Sequence, residues 1–443
     1  MAAALSERQQ DDLHKAILDY LSSAGFESTF EEFKKEASLP DFQPDLGQKT
    51  NGLLVKKWTS VIRMQKKILD LETRLQEALH DNANIAALPP GSRSRNNPDW
   101  LPTASSSRHT LTGHRDAVNA VAFHPVYSVM ATASDDATLK VWDWETGELE
   151  RTLKGHTKRV TDAEYDSKGK SLVSASYDLF IKLWNVENDY QNFATLRGHE
   201  HSVSSARFLP GDDKIVSSSR DQSVRIWEIA TTHCIKVIRP HTDWVRCALP
   251  SLDGKYVVTC SMDHTARVVE VGSGTTKAEL RGHDNVVEAA VFVPRASVAA
   301  LRELTGQKTA AIAETIAIAH VVTASRDKTI KIWDAIRGQC LHTLVGHDDW
   351  VRGLVFHPNG KYLLSSSDDH TIRIWELKTG RCIRKIEAHE RFVSCLSWGR
   401  QTLSSSGEGS DGPALMNVIA SGSSDQTVKA GVRLVEAHSP PQF

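Results

Sequence analysis

The spacing of apolar residues divides the chain into two parts that meet near residue 108. In the first part, Leu13, Ile17 and Leu21 recur at helical spacing, which predicts an amphipathic helix. In the second part, stretches such as YLLSSS and TIRIWEL are either continuously apolar or alternate between apolar and polar residues. Asn-Gly and Thr-Gly turn signals lie between such stretches, which is typical of strands joined by hairpins. The pattern therefore predicts helices followed by a larger all-β region.

The β region consists of seven repeats. The steps between them are 42, 43, 42, 42, 64 and 42 residues, and a period of about 40–45 residues is typical of four-stranded propeller blades. We therefore predict a seven-bladed β-propeller over residues 108–443, with an insertion at about residues 295–317 that lengthens the fifth step. Each repeat begins with a Gly-His pair or a near variant, at Gly113, Gly155, Gly198, Pro240, Gly282, Gly346 and Ala388.

Each repeat also carries the same polar residues. An aspartate follows the histidine by 22 residues in five repeats, a Ser or Thr always lies four residues before that aspartate, and a tryptophan lies six residues after it in five repeats. Buried polar groups must be hydrogen-bonded, so we predict that each set forms a structural network inside its blade. The predicted network residues are His114, Asp136, Trp142, His156, Asp178, Trp184, His199, Asp221, Trp227, His347, Ser365, Asp369 and Trp375.

Taken alone, His347, Ser365 and Asp369 have the residue types of a hydrolase triad. Catalysis needs such a set once per active site, whereas this chain repeats it seven times. The chain also has no G-x-S-x-G, Walker or H-E-x-x-H motif. We therefore expect no catalytic residue, no cofactor and no metal site.

Composition argues against several other classes of function. A formal net charge of −2 gives no electrostatic case for nucleic-acid binding. The six cysteines show no C-x-x-C spacing, which favours small buried residues in a reducing compartment. The start MAAALSERQQDD is too polar for a signal peptide and no apolar run approaches a membrane span, so we expect a soluble intracellular protein without membrane insertion.

The region before the propeller predicts two helical segments and a linker. Residues 5–40 contain two short helices that bury too little surface to be stable alone, so pairing with a second copy is expected. Two apolar seams with seven-residue spacing predict a coiled-coil helix over residues 54–80, with a helix folded back on the propeller as the alternative. Residues 81–107 are rich in Pro, Asn and Ser, which predicts a flexible linker. The predicted dimerisation residues are Leu13, Ile17, Leu21, Phe30, Val61, Ile68 and Leu75.

The order of these parts resembles a known family. The stretch DDLHKAILDYLSSAGFESTFEEFKKEA is similar to the LisH motif, and it is followed by KKWTSVIRMQKKILDLETRL and seven WD repeats. From residue 5 to 429 the chain resembles the lissencephaly-1 / nuclear distribution protein family. The resemblance implies an all-β seven-bladed WD-repeat propeller with an N-terminal all-α LisH and coiled-coil dimerisation region.

The resemblance also implies a function. Members of this family are noncatalytic homodimeric adaptors that bind the cytoplasmic dynein heavy chain and regulate microtubule-based transport, nuclear migration and spindle orientation. The implied location is the cytoplasm and the cytoskeleton, at microtubules and the spindle pole. Further implied partners are a coiled-coil nuclear-distribution protein and microtubule-associated complexes.

The same resemblance places dynein contacts on one rim of the propeller. The matching residues are Arg220, Arg246, Arg326 and Trp350, and the insertion in the fifth repeat is expected near this surface. An exposed tryptophan beside arginines suits an acidic partner. The alternative is that Trp244 and Trp350 simply pack between blades. Where the family usually has a lysine this chain has His370, which weakens one expected contact.

Two other functions remain open at this stage. The family resemblance also suggests a noncatalytic subunit of an intracellular platelet-activating-factor acetylhydrolase. A LisH–WD scaffold of another class, such as a ubiquitin-ligase receptor or a transcriptional corepressor, is the third possibility.

The last repeat departs from the others. Gly431 stands where five repeats have tryptophan, and the loss of a large core side chain costs roughly 3–5 kcal/mol. We predict that the stretch RHTL before Gly113 pairs with the last blade and closes the ring. The closing blade is predicted to be the weakest.

Overall fold

The structure is a computed structural model that describes residues 7–24, 26–37, 100–102, 107–306, 319–403 and 414–433. The chain forms two compact units, residues 1–94 and residues 95–443. The described part of the first unit contains two helices, α1 (Glu7–Ser23) and α2 (Glu27–Glu36). In α2, Glu27 lies in the first turn and Lys34 and Lys35 in the last, which suits the helix dipole. The predicted coiled coil over residues 54–80, with Val61, Ile68 and Leu75, lies outside the described residues.

The second unit contains seven four-stranded antiparallel sheets, which confirms the predicted seven-bladed propeller. In blades 1 to 6, four consecutive strands pair in chain order, and the first strand of each blade contacts the first strand of the next. Blades 1 to 3 contain β2 (Val118–Phe123), β3 (Val129–Ser134), β4 (Thr138–Asp143), β5 (Glu148–Lys154), β6 (Val160–Tyr165), β7 (Ser171–Ser176), β8 (Ile181–Asn185), β9 (Gln191–Leu196), β10 (Val203–Phe208), β11 (Lys214–Ser219), β12 (Val224–Glu228) and β13 (Cys234–Ile238). Blades 4 to 6 contain β14 (Val245–Pro250), β15 (Tyr256–Ser261), β16 (Thr265–Glu270), β17 (Thr276–Arg281), β18 (Val287–Phe292), β19 (His320–Ser325), β20 (Thr329–Asp334), β21 (Gln339–Val345), β22 (Val351–Phe356), β23 (Tyr362–Ser367), β24 (Thr371–Glu376) and β25 (Arg381–Glu387).

Blade 7 closes the ring with strands from both ends of the propeller. It contains β26 (Val393–Leu403), β27 (Ala414–Ser423), β28 (Thr427–Arg433) and, at its outer edge, β1 (Ser107–Thr112). The predicted RHTL stretch lies in β1, where Leu111 is opposite Val428. Gly431 lies in β28 between Ser107 and Ile419, so the backbone ladder continues without the tryptophan side chain.

Burial follows the position of a strand within its blade. The second strand of a blade, such as β3 or β7, is almost wholly buried because neighbouring blades cover both faces of the sheet. Outer strands such as β5 are mostly exposed. The apolar core therefore lies in layers between adjacent blades, as where Leu139 and Val141 of blade 1 join Leu172 of blade 2 in one cluster.

The insertion in blade 5 forms a 3₁₀ turn, Arg295–Ser297, and helix α3 (Val298–Thr305), with residues 307–318 outside the described part. Leu301 is fully buried in a cluster with Leu363 and Trp375 of blade 6. The insertion leaves β18 after Phe292, at the end of the sheet opposite to the turn that holds Arg326. For the described part, the expectation that the insertion lies near Arg326 and Trp350 is therefore wrong, because the extra residues join the ends of β18 and β19 that are farthest from Arg326.

Residues 100–102 are held against blades 6 and 7. His357 Nε2 donates to the Trp100 carbonyl at 2.9 Å, and Arg384 Nη1 donates to the carbonyls of Leu101 at 3.2 Å and Pro102 at 2.8 Å. The Trp100 ring packs edge-on against Trp398 at a centroid distance of 6.0 Å. These three residues, which belong to the predicted flexible linker over residues 81–107, therefore pack on the propeller, where Trp100 and Leu101 join an apolar cluster of blades 6 and 7.

Within the residues that the structure describes, no helix combines the length and the apolar character needed to cross a membrane.

Candidate functional site

The polar residues of each repeat lie together in one blade. In all seven blades the histidine Nδ1 is 2.6–3.0 Å from the turn aspartate and Nε2 is 2.7–2.9 Å from the Ser or Thr hydroxyl. In five blades the indole N–H donates to that same hydroxyl oxygen at 2.7–2.9 Å. The sets with an indole are His114–Thr132–Asp136–Trp142, His156–Ser174–Asp178–Trp184, His199–Ser217–Asp221–Trp227, His283–Thr323–Asp327–Trp333 and His347–Ser365–Asp369–Trp375.

Each aspartate also holds a tight turn. Asp369 accepts hydrogen bonds from the backbone N–H of Asp348 at 3.1 Å, the backbone N–H of Thr371 at 3.0 Å and the Thr371 hydroxyl at 2.6 Å. The next residue, His370, has a φ of 68°, and the equivalent residue is left-handed in all seven blades. A non-glycine residue in this region costs about 1–2 kcal/mol, which the bonds to the carboxylate offset.

The hydroxyl groups are closed to solvent. Ser174, Ser217 and Ser365 are 0% exposed, as are the equivalent threonines Thr132 and Thr323. Each set lies within its own blade. Because no substrate can reach these oxygen atoms, the arrangement supports strand geometry rather than nucleophilic attack.

The electrostatics of the networks favour charged carboxylates and, for His199 and His389, neutral imidazoles. Burial alone would raise the pKa of the turn aspartates, but the hydrogen bonds from histidine and from the neighbouring N–H and hydroxyl groups outweigh this effect. The pKa values of Asp221, Asp369 and the other turn aspartates are therefore lowered. Burial lowers the pKa of His199 and His389.

These shifts predict loss of stability in two stages as the solution is acidified. A lowered histidine pKa means that the unfolded chain binds protons first, so the contribution of His199 and His389 is complete above about pH 6.5 and declines below it. The contribution of the aspartates is complete above about pH 3.9 and is lost as the pH falls through their folded pKa values. We expect Tm, measured by circular dichroism, to fall between pH 7 and pH 5 and again below pH 4. A constant Tm from pH 7 to pH 5 would rule out the histidine stage.

A second set of repeated positions forms one rim of the propeller. We call the strand of each blade that lies nearest the centre of the ring the inner strand. In all seven blades, the residue before the turn aspartate donates its backbone N–H to the carbonyl of the residue before the inner strand, at 2.9–3.0 Å. Arg220 and Arg326 occupy the position before the aspartate, and Trp244 and Trp350 occupy the position before the strand. This shared geometry brings residues from different repeats to the same end of the ring.

A β-bulge adds a third position to this rim. In every blade the register of the inner strand shifts after its first residue, and the skipped residue lines a central cavity of about 540 Å³. Several skipped residues bond to the next blade, as when Asn119 Nδ2 donates to the Val160 carbonyl at 2.8 Å. The skipped residues are Asn119, Thr161, Ser204, Arg246, Glu288, Arg352 and Ser394.

Arginine side chains flank two tryptophans on this rim. The guanidinium carbons of Arg326 and Arg352 lie 4.2 and 4.9 Å from the Trp350 ring centroid. Those of Arg220 and Arg246 each lie 5.0 Å from the Trp244 ring centroid. Both indoles are half-buried. Such guanidinium–aromatic contacts are attractive and hold the planar groups in place.

One buried carboxylate, Glu288, joins the two halves of this cluster. Arg246 Nη2 lies 2.7 Å from Glu288 Oε2, Arg326 Nε donates to Oε1, and Arg352 Nη1 lies 3.4 Å from Oε1. Burial raises the pKa of Glu288, but the three arginines, Arg246 first, bring it down to about 2. Arg352 also pairs with both carboxylate oxygens of Asp368, at 2.9 and 2.8 Å. We call Arg220, Trp244, Arg246, Glu288, Arg326, Trp350 and Arg352 the rim cluster.

The structure brings together all four residues that the resemblance assigned to the partner surface. Arg220 is exposed, and Arg246, Arg326 and Trp350 are half-buried. Trp244 of blade 4 also contacts the neighbouring blade, because its Nε1 donates to Ser204 Oγ of blade 3 at 2.6 Å. His370 lies in its turn with its ring 5.9 Å from Phe392.

Sequence reasoning missed Glu288, and also Arg159 and Tyr177, which extend the row into blade 2. The Arg159 guanidinium lies 3.6 Å from the Tyr177 ring centroid, and Tyr177 packs edge-on against Trp244 at 6.0 Å. Comparison of the seven repeats at the three rim positions would have found all three residues. Among the described residues, no group of three or more His, Cys, Asp or Glu is arranged to hold a metal ion.

The described dimerisation candidates lie on the two N-terminal helices. Leu13 is 39% exposed, and Ile17, Leu21 and Phe30 are half-buried. Phe26, which the sequence prediction left out of this set, is 54% exposed. The two helices therefore present apolar side chains that this single copy leaves partly uncovered.

Comparison with known proteins identifies the LisH motif and the seven WD repeats that were expected from the sequence. The PAC1 LisH domain model matches residues 7–42, and the WD domain, G-beta repeat model matches seven segments: residues 105–143, 147–185, 190–228, 232–270, 274–334, 338–376 and 380–430. The nuclear distribution protein nudF of Aspergillus niger is 46% identical over 97% of this chain and 99% of its own length. The nuclear distribution protein PAC1 of Arthroderma otae is 42% identical over 90% of this chain and 89% of its own length. The chain therefore belongs to the nuclear distribution protein nudF/PAC1 family.

Proposed function

We propose that this protein is a noncatalytic dimeric adaptor that binds the motor domain of cytoplasmic dynein through the rim cluster. In this role it regulates microtubule-based transport, nuclear migration and spindle orientation from the cytoplasm. The observation that carries the proposal is the pair of half-buried indoles, each flanked by two guanidinium groups at one end of the ring.

The chemistry of the rim cluster suits an acidic protein surface. Three of the four guanidinium groups of the cluster, those of Arg246, Arg326 and Arg352, pair with two carboxylates, Glu288 and Asp368, so positive charge remains for a partner. Tryptophan and arginine are the residues most enriched where truncation weakens protein binding. Because the contacts with Glu288 already hold three of the arginines in place, little side-chain entropy is lost on binding.

Dimer formation would raise the effective strength of this interaction. Two copies joined through the LisH helices present two rim clusters, and a second contact within one complex benefits from a high effective concentration. The partly uncovered Leu13 and Phe26 are the apolar residues that we propose a second copy covers.

The proposal predicts weaker binding when the blade 5 and 6 part of the cluster is removed. Arg326→Ala combined with Trp350→Ala should weaken binding of purified dynein motor domain by about 30-fold or more, since hot-spot truncations cost ~2 kcal/mol or more. The measurement is an equilibrium co-sedimentation titration with the full chain. Arg220→Ala, at an exposed side chain, should also weaken binding while leaving Tm unchanged.

A matched control comes from the opposite rim. Arg337 and Tyr127 are an exposed arginine and an exposed aromatic residue in turns at the other ends of the strands. The variant Arg337→Ala/Tyr127→Ala should bind as the unaltered protein does. Unchanged binding of Arg326→Ala/Trp350→Ala, or an equal loss in the control, would remove the rim cluster as the binding surface.

A further inference from the structure

Two cysteines face each other in blade 4 directly below the rim cluster. Cys247 follows the bulge residue Arg246 on β14, and its partner in the register is Cys260 on β15. The two sulfur atoms are 2.9 Å apart. Cα atoms of directly opposite residues in antiparallel strands lie about 4.5–5.5 Å apart, which is within the range of about 4.4–6.8 Å that a disulfide requires. The register therefore places the two cysteines at a Cα separation that a disulfide can span.

The surroundings of the two thiols differ. Cys247 is half-buried and lines the central cavity, whereas Cys260 is 0% exposed behind it. The hydrogen bond from the Cys260 thiol lowers the pKa of Cys247, and burial raises the pKa of Cys260 well above its usual value. The thiolate is the reactive form of cysteine, so the member of the pair that a small molecule can reach is also the more reactive one.

We propose that Cys247 and Cys260 are a modification site that forms a reversible disulfide when hydrogen peroxide enters the central cavity. The Cys247 thiolate attacks one peroxide oxygen, the O–O bond breaks, and a sulfenic acid forms while hydroxide leaves and is protonated to water. The Cys260 sulfur then attacks the sulfenic sulfur, the S–S bond forms, the S–O bond breaks, and the second oxygen leaves as water. Two thiols are oxidised and one peroxide is reduced to two water molecules.

The equivalent positions in other blades set this pair apart from ordinary small core residues. In blade 3 the same two positions hold Ser205 and Ser218, whose hydroxyl oxygens are 2.8 Å apart. In blade 7 they hold Cys395 and Gly422. Small side chains are therefore sufficient for packing at this site. Among the described blades, blade 4 alone combines two thiols at these positions.

The test uses the full-length reduced protein and hydrogen peroxide. After oxidation, free thiols are blocked with N-ethylmaleimide, and the protein is digested with trypsin without reduction. Trypsin cuts after Arg246, Lys255 and Arg267, so the two cysteines fall in separate peptides, residues 247–255 and 256–267. We expect these two peptides to be linked, two of the six thiols to disappear, and dithiothreitol to restore both.

Two variants assign the roles of the two cysteines. Dimedone should label Cys247 in Cys260→Ser, because its sulfenic acid has no second thiol to react with, and should not label Cys260 in Cys247→Ser. Cys395 is the internal control: it lines the same cavity, burial raises its pKa to about 12, and it should stay reduced. If Cys247 and Cys260 remain reduced at a peroxide concentration that oxidises the exposed Cys340, or if dimedone labels Cys260 first, the proposal fails.

Discussion

Replacing Trp333 with alanine is expected to lower the free energy of unfolding of the propeller by about 3–5 kcal/mol. The indole is 0% exposed and its Nε1 donates to Thr323 Oγ1 at 2.7 Å. It also packs against Gly282, where an added Cβ would lie 3.3 Å from the ring edge. Truncation therefore opens a cavity in the layer between blades 4 and 5 and removes a donor from a buried network.

Trp333→Phe separates these two effects. Phenylalanine keeps most of the apolar volume but removes the N–H donor, so we expect a smaller loss of about 1–3 kcal/mol. Denaturant unfolding followed by circular dichroism measures both variants. An unchanged midpoint for Trp333→Ala would mean that the tryptophan and its network do not hold the blade together.

Replacing Glu288 with glutamine is expected to destabilise the propeller by about 3 kcal/mol and to weaken motor-domain binding. Removing one partner of a buried ion pair leaves uncompensated charge, which costs roughly 3–5 kcal/mol. We expect the lower value here because the partly exposed arginines can reach water. The side chains of Arg246, Arg326 and Arg352 are 19–23% exposed and converge on this carboxylate. Without it, repulsion should separate the guanidinium groups and disorder the cluster.

Glu164→Gln provides the matched control. Glu164 is another glutamate of an inner strand, and Arg207 Nη1 lies 3.6 Å from its Oε1, but it lies outside the rim cluster. We expect Glu164→Gln to leave binding affinity unchanged, whatever its effect on Tm. Equal affinity losses for Glu164→Gln and Glu288→Gln would show that binding depends on the general stability of the ring and not on the position of the arginines.

Strict spacing explains why much of this fold could be predicted from the sequence. The step of about 42 residues fixes the number of blades, and the constant sequence spacing from His347 to Ser365 and Asp369 matches three side chains that are hydrogen-bonded to one another within one blade. The closing strand followed from the fact that a ring must pair its two ends, which places RHTL beside β28.

Other features depend on relations between blades that a single repeat does not show. Glu288 looks like an ordinary strand residue until the bulge turns it toward arginines from the blades on both sides. Trp100 looked like part of a linker because the stretch around it is polar, and its contacts with His357 and Trp398 lie more than two hundred residues away in sequence. The tryptophan and leucine at residues 100–101 were the signal that this part of the linker would pack on the propeller.

Hydrogen exchange of the full chain, with and without the dynein motor domain, tests most directly which face of the propeller binds. If the rim cluster is the binding surface, protection on binding should appear in the segments that carry it, residues 241–246, 324–328 and 346–352. Protection confined to the turns of the opposite rim, residues 166–170, 209–213 and 357–361, would contradict the assignment of the rim cluster.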